Sequence, residues 1–246
     1  MDHAKGDELP SASALGLTRV EHRASLTSTM DLAHELAASG APGGLLVVAD
    51  SQARGRGRSG NHWASANGAG LWMTLVERAT DAPGIAVLSL RVGLALADGL
   101  APLVDGEIQL KWPNDVFVGM GKLAGILIEA RWRGAAVDWV AIGVGINMRA
   151  PAGVTSASVV RASATRADLI AALVPRLRHA AARTGLLTEA EIVAWHARDF
   201  ARDRLLRGPV TGRVLGIAAD GALRVSRGTD DGETTIRSGS VSFEDQ

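Results

Sequence analysis

Glu107-Ile-Gln-Leu-Lys111, Val116-Phe-Val118, Lys122-Leu-Ala-Gly-Ile-Leu-Ile-Glu-Ala-Arg131 and Val137-Asp-Trp-Val-Ala-Ile-Gly-Val-Gly-Ile-Asn147 follow one another with short breaks. Their apolar period is two, that of a half-buried strand. The breaks at Gly119-Met-Gly121 and Arg133-Gly134 have hairpin character, because glycine accepts the positive φ that tight reversals need. The middle of the chain is therefore predicted to be an antiparallel run of strands. Upstream, Gly84 to Leu100 reads as a helix with Ile85, Leu88, Val92 and Leu96 on one stripe. Leu71 to Val76, Gly44 to Asp50 and residues 18–25 read as strands. Asp31, Leu32, Leu36 and Ala37 sit at helical spacing between the cap candidates Ser28-Thr29 and Gly40. Downstream, residues 149–165 read as loop, and Arg166–Arg183 and Thr188–Arg202 as helices. From Gly208, short strands broken at Ala219-Asp-Gly221 and Gly228-Thr-Asp-Asp-Gly232 read as a small antiparallel module. The fold class expected is α+β: a mixed sheet with helices over residues 17–206, a flexible, frayed N-terminus over 1–16, and the β module over 207–246.

The 246 residues are 47% hydrophobic, enough to bury a core, so bulk disorder is excluded. The 26 basic residues match 26 acidic ones, which removes a whole-chain electrostatic argument for nucleic acid or membrane surfaces. The absence of cysteine rules out disulfides, thiol nucleophiles and thiolate metal sites. The N-terminus lacks the basic and apolar regions of a secretory signal, and no apolar run is expected to reach the ~20 residues of a membrane span. A soluble cytoplasmic protein is the expectation. The six histidines lack metal-ligand spacing, and no Gly-x-Ser-x-Gly elbow or Walker loop occurs. Catalysis is expected to rest on cationic charge rather than a nucleophilic triad.

Gln52-Ala-Arg-Gly55-Arg56-Gly-Arg58-Ser-Gly-Asn-His-Trp63 is the densest unusual stretch. Glycines let backbone approach a ligand, and arginines between them supply forked donors for phosphate or carboxylate. Three readings compete: a solvated basic loop, a short nucleic-acid contact, and an anion-binding loop. Ordering three arginines without a counter-anion is costly, which favours the third. Gly55-x-Gly57-x-x-Gly60 also matches the dinucleotide fingerprint, but Asn61-His62-Trp63 is a poor helix start, and the fingerprint needs a helix there.

Lys111-Trp-Pro-Asn114-Asp115 and Lys122-Leu-Ala-Gly125 form the second cluster. Asn114 and Asp115 serve either a turn or a site in which a lysine, an amide and a carboxylate at a strand end meet a phosphate, a nucleotide and Mg²⁺. The charge on Lys122 must find water or an anion. Strict alternation puts Gly125 on the opposite face from Lys122, so a shared ligand requires a bulge or contact through the Gly125 backbone. In Ile142-Gly143-Val144-Gly145-Ile146-Asn147, period two sends the branched residues to the core and leaves Gly143 and Gly145 as a bare face. Such a face is a floor for a flat ligand or a close strand crossing. Ser28 and Thr29 read equally as helix caps or ligand contacts.

Together, Ser28-Thr29, Gln52 to Trp63, Lys111 to Asp115, Lys122 to Leu127 and Gly143 to Asn147 resemble, in order and spacing, the catalytic region of biotin protein ligases from about residue 20 to 148. The resemblance implies a class II aminoacyl-tRNA synthetase-like catalytic domain and makes the C-terminal module SH3-like. It implies that biotin and MgATP form biotinyl-5′-AMP, and that a lysine of a biotin carboxyl carrier protein then displaces AMP. On the residues that match, Ser28, Thr29 and Gln52 would hold the ureido ring, Gly55 and Arg56 would close over it, and Gly125 and Gly143 would line the pocket. Arg58 would face the phosphates. Lys122 would bridge the biotin carboxylate and the α-phosphate, and Trp63 would stack near adenine. Asn114, Asp115 and Asn147 would serve nucleotide and Mg²⁺, with Asp115 the metal contact, and Lys111 would serve the phosphates or the incoming lysine.

The chain departs from many relatives at Met30, Ser59 and Asn61. Only some twenty residues precede the catalytic region, too few for the winged helix of bifunctional members, so no DNA partner is expected; a homodimer is among the assemblies the resemblance allows. Lipoate ligases and octanoyltransferases of the same architecture, a non-catalytic biotin or nucleotide sensor, and a nucleic-acid binder are the competing readings.

Overall fold

The computed structural model describes residues 8–78, 81–150, 157–227 and 232–243. In chain order it contains β1 (Arg19–Leu26), α1 (Thr29–Ala38), β2 (Leu45–Gln52), β3 (Gly70–Glu77), α2 (Ala82–Leu100), β4 (Ile108–Lys111), β5 (Asp115–Val118), β6 (Gly121–Arg133) and β7 (Ala136–Asn147). There follow α3 (Arg166–Ala182), α4 (Glu189–His196), β8 (Leu205–Gly208), β9 (Gly212–Ile217), β10 (Leu223–Ser226), β11 (Glu233–Ile236) and β12 (Ser242–Phe243). Seven strands form one mixed sheet in the order β1-β2-β3-β7-β6-β5-β4, with only β1 and β2 parallel. Five form a second, antiparallel sheet in the order β11-β10-β9-β8-β12. The expected α+β class and hairpin order are those observed.

Alternation along the strands explains the layers. Leu46 and Val48 of β2, Leu71, Met73 and Leu75 of β3, and Ile142, Val144 and Ile146 of β7 join α2 and α3 in the main core. Leu45, Val47, Val76 and Trp139 face the other way, against Ala33 and Ala37 of α1. Burial on both faces explains why β2 reads as a continuous apolar run. With ten residues, α1 is about 15 Å long and covers only part of its face. The rest, where β3, β7 and β6 present Trp72, Thr74, Gly143, Gly145 and Gly125, lies against the cavity described below.

Three expectations need correction. Residues up to 16 do not all fray: Ser13–Leu15 form a 3-10 turn, with Leu15 in the core; residues 1–7 lie outside the described residues. The span Ala82–Leu103, α2 plus one 3-10 turn, is long and apolar enough to cross a membrane, although no such run was expected. It packs as a core helix, with 61% of its most apolar window buried, because α2 meets the sheet, α3 and α4 on several sides rather than along one stripe. The helix expected over 188–202 stops at His196. Beyond it the chain pairs with the edge of the sheet: Leu110 N donates to Arg198 O and Phe200 N to Leu110 O.

The second sheet begins at Leu205, and Leu206, Val214, Leu223, Val225 and Phe243 belong to the same apolar core as the first. Polar bonds cross the seam as well: Trp112 Nε1 donates to Gly221 O at 2.9 Å and Ile217 N to His196 Nε2 at 3.3 Å. The turn expected at Gly228 to Gly232 and the loop expected over 149–165 fall partly outside the described residues.

Candidate active site

A cavity of about 170 Å³ opens on the face that α1 leaves uncovered. Its wall at the start of α1 is polar. Ser28 caps the helix by accepting from Met30 N at 3.3 Å. Thr29 donates to Gln52 Oε1 from N at 2.8 Å and from Oγ1 at 3.2 Å, and Thr29 Oγ1 lies 2.9 Å from Thr74 Oγ1. Gln52 Nε2 donates to Ser65 Oγ at 2.8 Å. These bonds fix the orientation of the Gln52 amide. Ser28, Thr29 and Thr74 are buried, a polar patch that an apolar core would not tolerate unpaired.

The floor is glycine. A Cβ at Gly125 would come 2.5 Å from the Trp63 ring, one at Gly145 2.6 Å from it, and one at Gly143 2.7 Å from Met30 Cε. No side chain fits there, so the indole of Trp63 and the thioether of Met30 rest on bare backbone. Trp63 Nε1 is buried without a hydrogen-bonding partner.

Lys122 reaches the same face through the feature that alternation required. In the β5–β6 pairing Val116 opposes Ala124 while Phe117 opposes Lys122, so Leu123 is an extra residue and the strand bulges. Asn147 Nδ2 donates to Lys122 O at 3.0 Å and Ser158 N at 3.1 Å, which satisfies the carbonyl at the bulge. Lys122 Nζ then pairs with Asp115 at 2.7 Å and lies 5.0 Å from the Trp63 ring centroid.

Arg58 approaches from the loop, donating to Asn114 Oδ1 at 3.2 Å and to Gly239 O at 3.5 Å. Burial lowers its pKa, with Asp115 pulling the other way. Asn114 Nδ2 in turn donates to Ile126 O at 2.8 Å, which locks the strand-end turn against β6. Among the lining residues Arg58 and Lys122 face one carboxylate, Asp115, while Arg56 is paired with Asp31 and Glu129 at the edge. An anion is the complement such a wall lacks.

Ser28, Thr29, Gln52, Arg56, Arg58, Trp63, Asn114, Asp115, Lys122, Gly125 and Gly143 all line this cavity. Gly55, Lys111 and Asn147 do not. Gly55 packs behind the loop, where a Cβ would meet Trp63 O at 2.3 Å. Asn147 is buried and braces the bulge. The Lys111 ammonium sits over three phenyl rings, Phe117, Phe200 and Phe243, at 5.4, 5.6 and 5.2 Å. Burial lowers its pKa first, and Asp115 partly restores it. Sequence reading missed Thr74, Ser65 and Ser240. Thr74 carries a signal, a lone hydroxyl inside an otherwise apolar strand; Ser240 carries none, since the second sheet alone brings it to the cavity.

The sequence pattern of the biotin/lipoate A/B protein ligase family matches residues 23–147, 125 of the 246 residues. The chain belongs to that family. The matched stretch of this family member contains every site residue expected from the sequence, from Ser28 to Asn147. The bifunctional ligase/repressor BirA of Bacillus subtilis is 42% identical over 125 residues, 50% of this chain and 38% of that protein. The biotin-(acetyl-CoA-carboxylase) ligase of Mycobacterium tuberculosis is 44% identical over 118 residues, 46% of this chain and 42% of that protein. The chain thus spans about two fifths of the length of these curated relatives. A biotin protein ligase from Aquifex aeolicus, solved with biotin and ATP, superposes over 93% of this chain and 99% of its own with a TM-score of 0.72 at 21% identity. That likeness establishes a shared fold.

Proposed function

We propose that the chain activates biotin with ATP to biotinyl-5′-AMP and transfers the biotinyl group to a lysine of a biotin carboxyl carrier protein. The observation that carries this reading is the β6 bulge, which turns Lys122 onto the glycine-floored face opposite the Thr29–Gln52 amide network. A urea offers two N–H donors and a carbonyl, and the wall of Ser28, Thr29, Gln52 and Thr74 can pair with such a group. An octanoyl chain or a dithiolane would bring no hydrogen-bonding group to this polar wall, which disfavours the lipoate and octanoate readings.

The chemistry follows from charge. A carboxylate oxygen attacks the α-phosphorus, the bond from that phosphorus to the α,β-bridging oxygen breaks, and pyrophosphate leaves. The acid is already ionised near neutral pH, so no base is needed. Lys122 and Arg58 stabilise the charge that builds on the phosphoryl oxygens. In the second step a neutral lysine amine attacks the acyl carbon, the bond to the phosphate oxygen breaks, AMP leaves, and the amide nitrogen loses its proton. Arg56 and Gly55 close the loop, Trp63 offers an aromatic face to adenine, and Asn114 and Asn147 support the nucleotide end.

Magnesium arrives with ATP. Among the described residues Asp115 is the one carboxylate lining the cavity, and they hold no cluster of three His, Cys, Asp or Glu side chains. A single carboxylate fits an ion held mainly by substrate phosphates. The C-terminal sheet is read as an SH3-like barrel that brings Ser240 to the cavity and Phe243 to Lys111, residues 17–206 as the catalytic domain, and a sheet-edge homodimer as a compatible assembly. Incubation with biotin, MgATP and an apo carrier domain should add the mass of one biotinyl group to the carrier. An unmodified carrier with no adenylate detected would overturn the proposal.

A further inference from the structure

Asp31 and Glu129 have no part in that chemistry, yet both grip the loop that closes the cavity. Arg56 Nη1 donates to Asp31 Oδ1 at 2.9 Å and Arg56 Nη2 to Glu129 Oε1 at 2.5 Å. The two carboxylates belong to α1 and β6, which both line the cavity, so one guanidinium ties the loop to both. Glu129 is itself oriented. His34 Nε2 lies 3.0 Å from Glu129 Oε2, and Trp139 Nε1 lies 3.0 Å from His34 Nδ1. An indole N–H only donates, so Nδ1 accepts and the His34 proton sits on Nε2, aimed at Glu129. One carboxylate oxygen is thereby fixed by His34, and the other is presented to Arg56.

Within the loop, Trp63 N donates to Gly55 O at 2.9 Å and Gly57 N to Asn61 O at 2.8 Å, and Arg56 pairs with His62 as an isolated bridge. The loop is thus a small hydrogen-bonded hairpin, and Arg56 ties it to α1 and β6.

We propose that Asp31 and Glu129 form a latch that holds the Arg-Gly loop shut and retains the acyl adenylate until the carrier lysine arrives, with His34 a positioning residue behind Glu129. The proposal rests on the acyl-adenylate reading above. An open loop admits water, which attacks the acyl carbon and breaks its bond to the phosphate oxygen, returning the free acid and AMP. Each such turnover consumes ATP and releases pyrophosphate without modifying a carrier.

Hydrogen exchange of the 55–63 amides in the free protein tests the latch. Glu129→Gln and Asp31→Asn should each speed exchange there about three- to ten-fold while α3 stays unchanged. Glu129→Gln added to Arg56→Ala should add nothing, since the tether is already gone. In turnover with carrier, the pyrophosphate released per biotinyl group transferred should rise about two-fold or more in both single variants. Asp31 is half exposed, so Asp31→Asn carries the test if Glu129→Gln does not fold. Unchanged loop exchange in the folded variants overturns the latch, and faster exchange with an unchanged ratio overturns its role in retention. A wild type that releases no pyrophosphate from ATP and biotin overturns the adenylate reading and the retention role with it, while the exchange result still decides the latch.

Discussion

Gln52 joins the helix, the sheet and the loop around the cavity through one amide. Its oxygen accepts two bonds from Thr29 and its nitrogen donates to Ser65, which in turn donates to Trp63 O. Gln52→Leu keeps much of the volume but orphans the Thr29 N–H and leaves its hydroxyl with Thr74 alone. It should cost about 1–3 kcal/mol of stability and weaken biotin at least about tenfold, read by thermal melts and calorimetry; a variant that binds biotin as tightly as wild type contradicts the assigned role. At this scale the sequence was informative where a residue broke a local pattern. Lys122 in an apolar strand, the Gly143 and Gly145 alternation and the Arg-Gly loop all stood out. Asp31, His34 and Glu129 did not, because each reads as an ordinary polar position on a helix or strand, and only tertiary register brings them to Arg56.

Elements were legible where period was strong and turns were marked by glycine. The four strands from 107 to 147 lie where the alternation put them, and the bulge in β6 was legible only as a condition: if Lys122 and Gly125 share a ligand, the strand must slip. The end of α4 was not legible, since Ala- and Arg-rich sequence favours helix locally while pairing with Leu110 ends it. That pairing buries Asp199, 9% exposed, with Oδ2 unpartnered. Burial outweighs the bond from Ala201 N and pushes its pKa up to about 6 from 3.8. A carboxyl whose pKa is higher folded than unfolded binds more protons in the folded state, so stability falls as pH rises from about 4 through 6. Asp199→Asn, which removes that ionisation, should therefore raise stability above pH 7 by about 1–2 kcal/mol, with the gain vanishing below about pH 4. Denaturant melts at pH 4 and pH 8 check this, and equal effects at both would refute it.

The two sheets share one apolar core, with Leu206, Val214 and Phe243 in the same cluster as the first sheet's strands. Composition shifts at Gly208 suggest a separate module, but boundaries in sequence do not reveal whether cores fuse. Unfolding should therefore be a single transition, with far-ultraviolet dichroism and tryptophan fluorescence coincident. Phe243→Ala should lower stability by about 3–4 kcal/mol for the whole chain. Two resolved transitions would contradict a common core. Fusion also has a functional sense: Phe243 and Phe200 support Lys111 on the strand that leads into Asn114 and Asp115, while Gly239 and Ser240 reach the cavity itself. Above all, Lys122 and Arg58 line one cavity over a glycine floor, where the proposed function brings an acid and a phosphate together. The direct measure of that arrangement is biotin-dependent exchange of labelled pyrophosphate into ATP without carrier protein. Wild type should exchange, and Lys122→Ala should lose about 10²–10³-fold of that rate while biotin affinity changes less than about tenfold. Exchange at the wild-type rate in Lys122→Ala, or none in wild type, would contradict it.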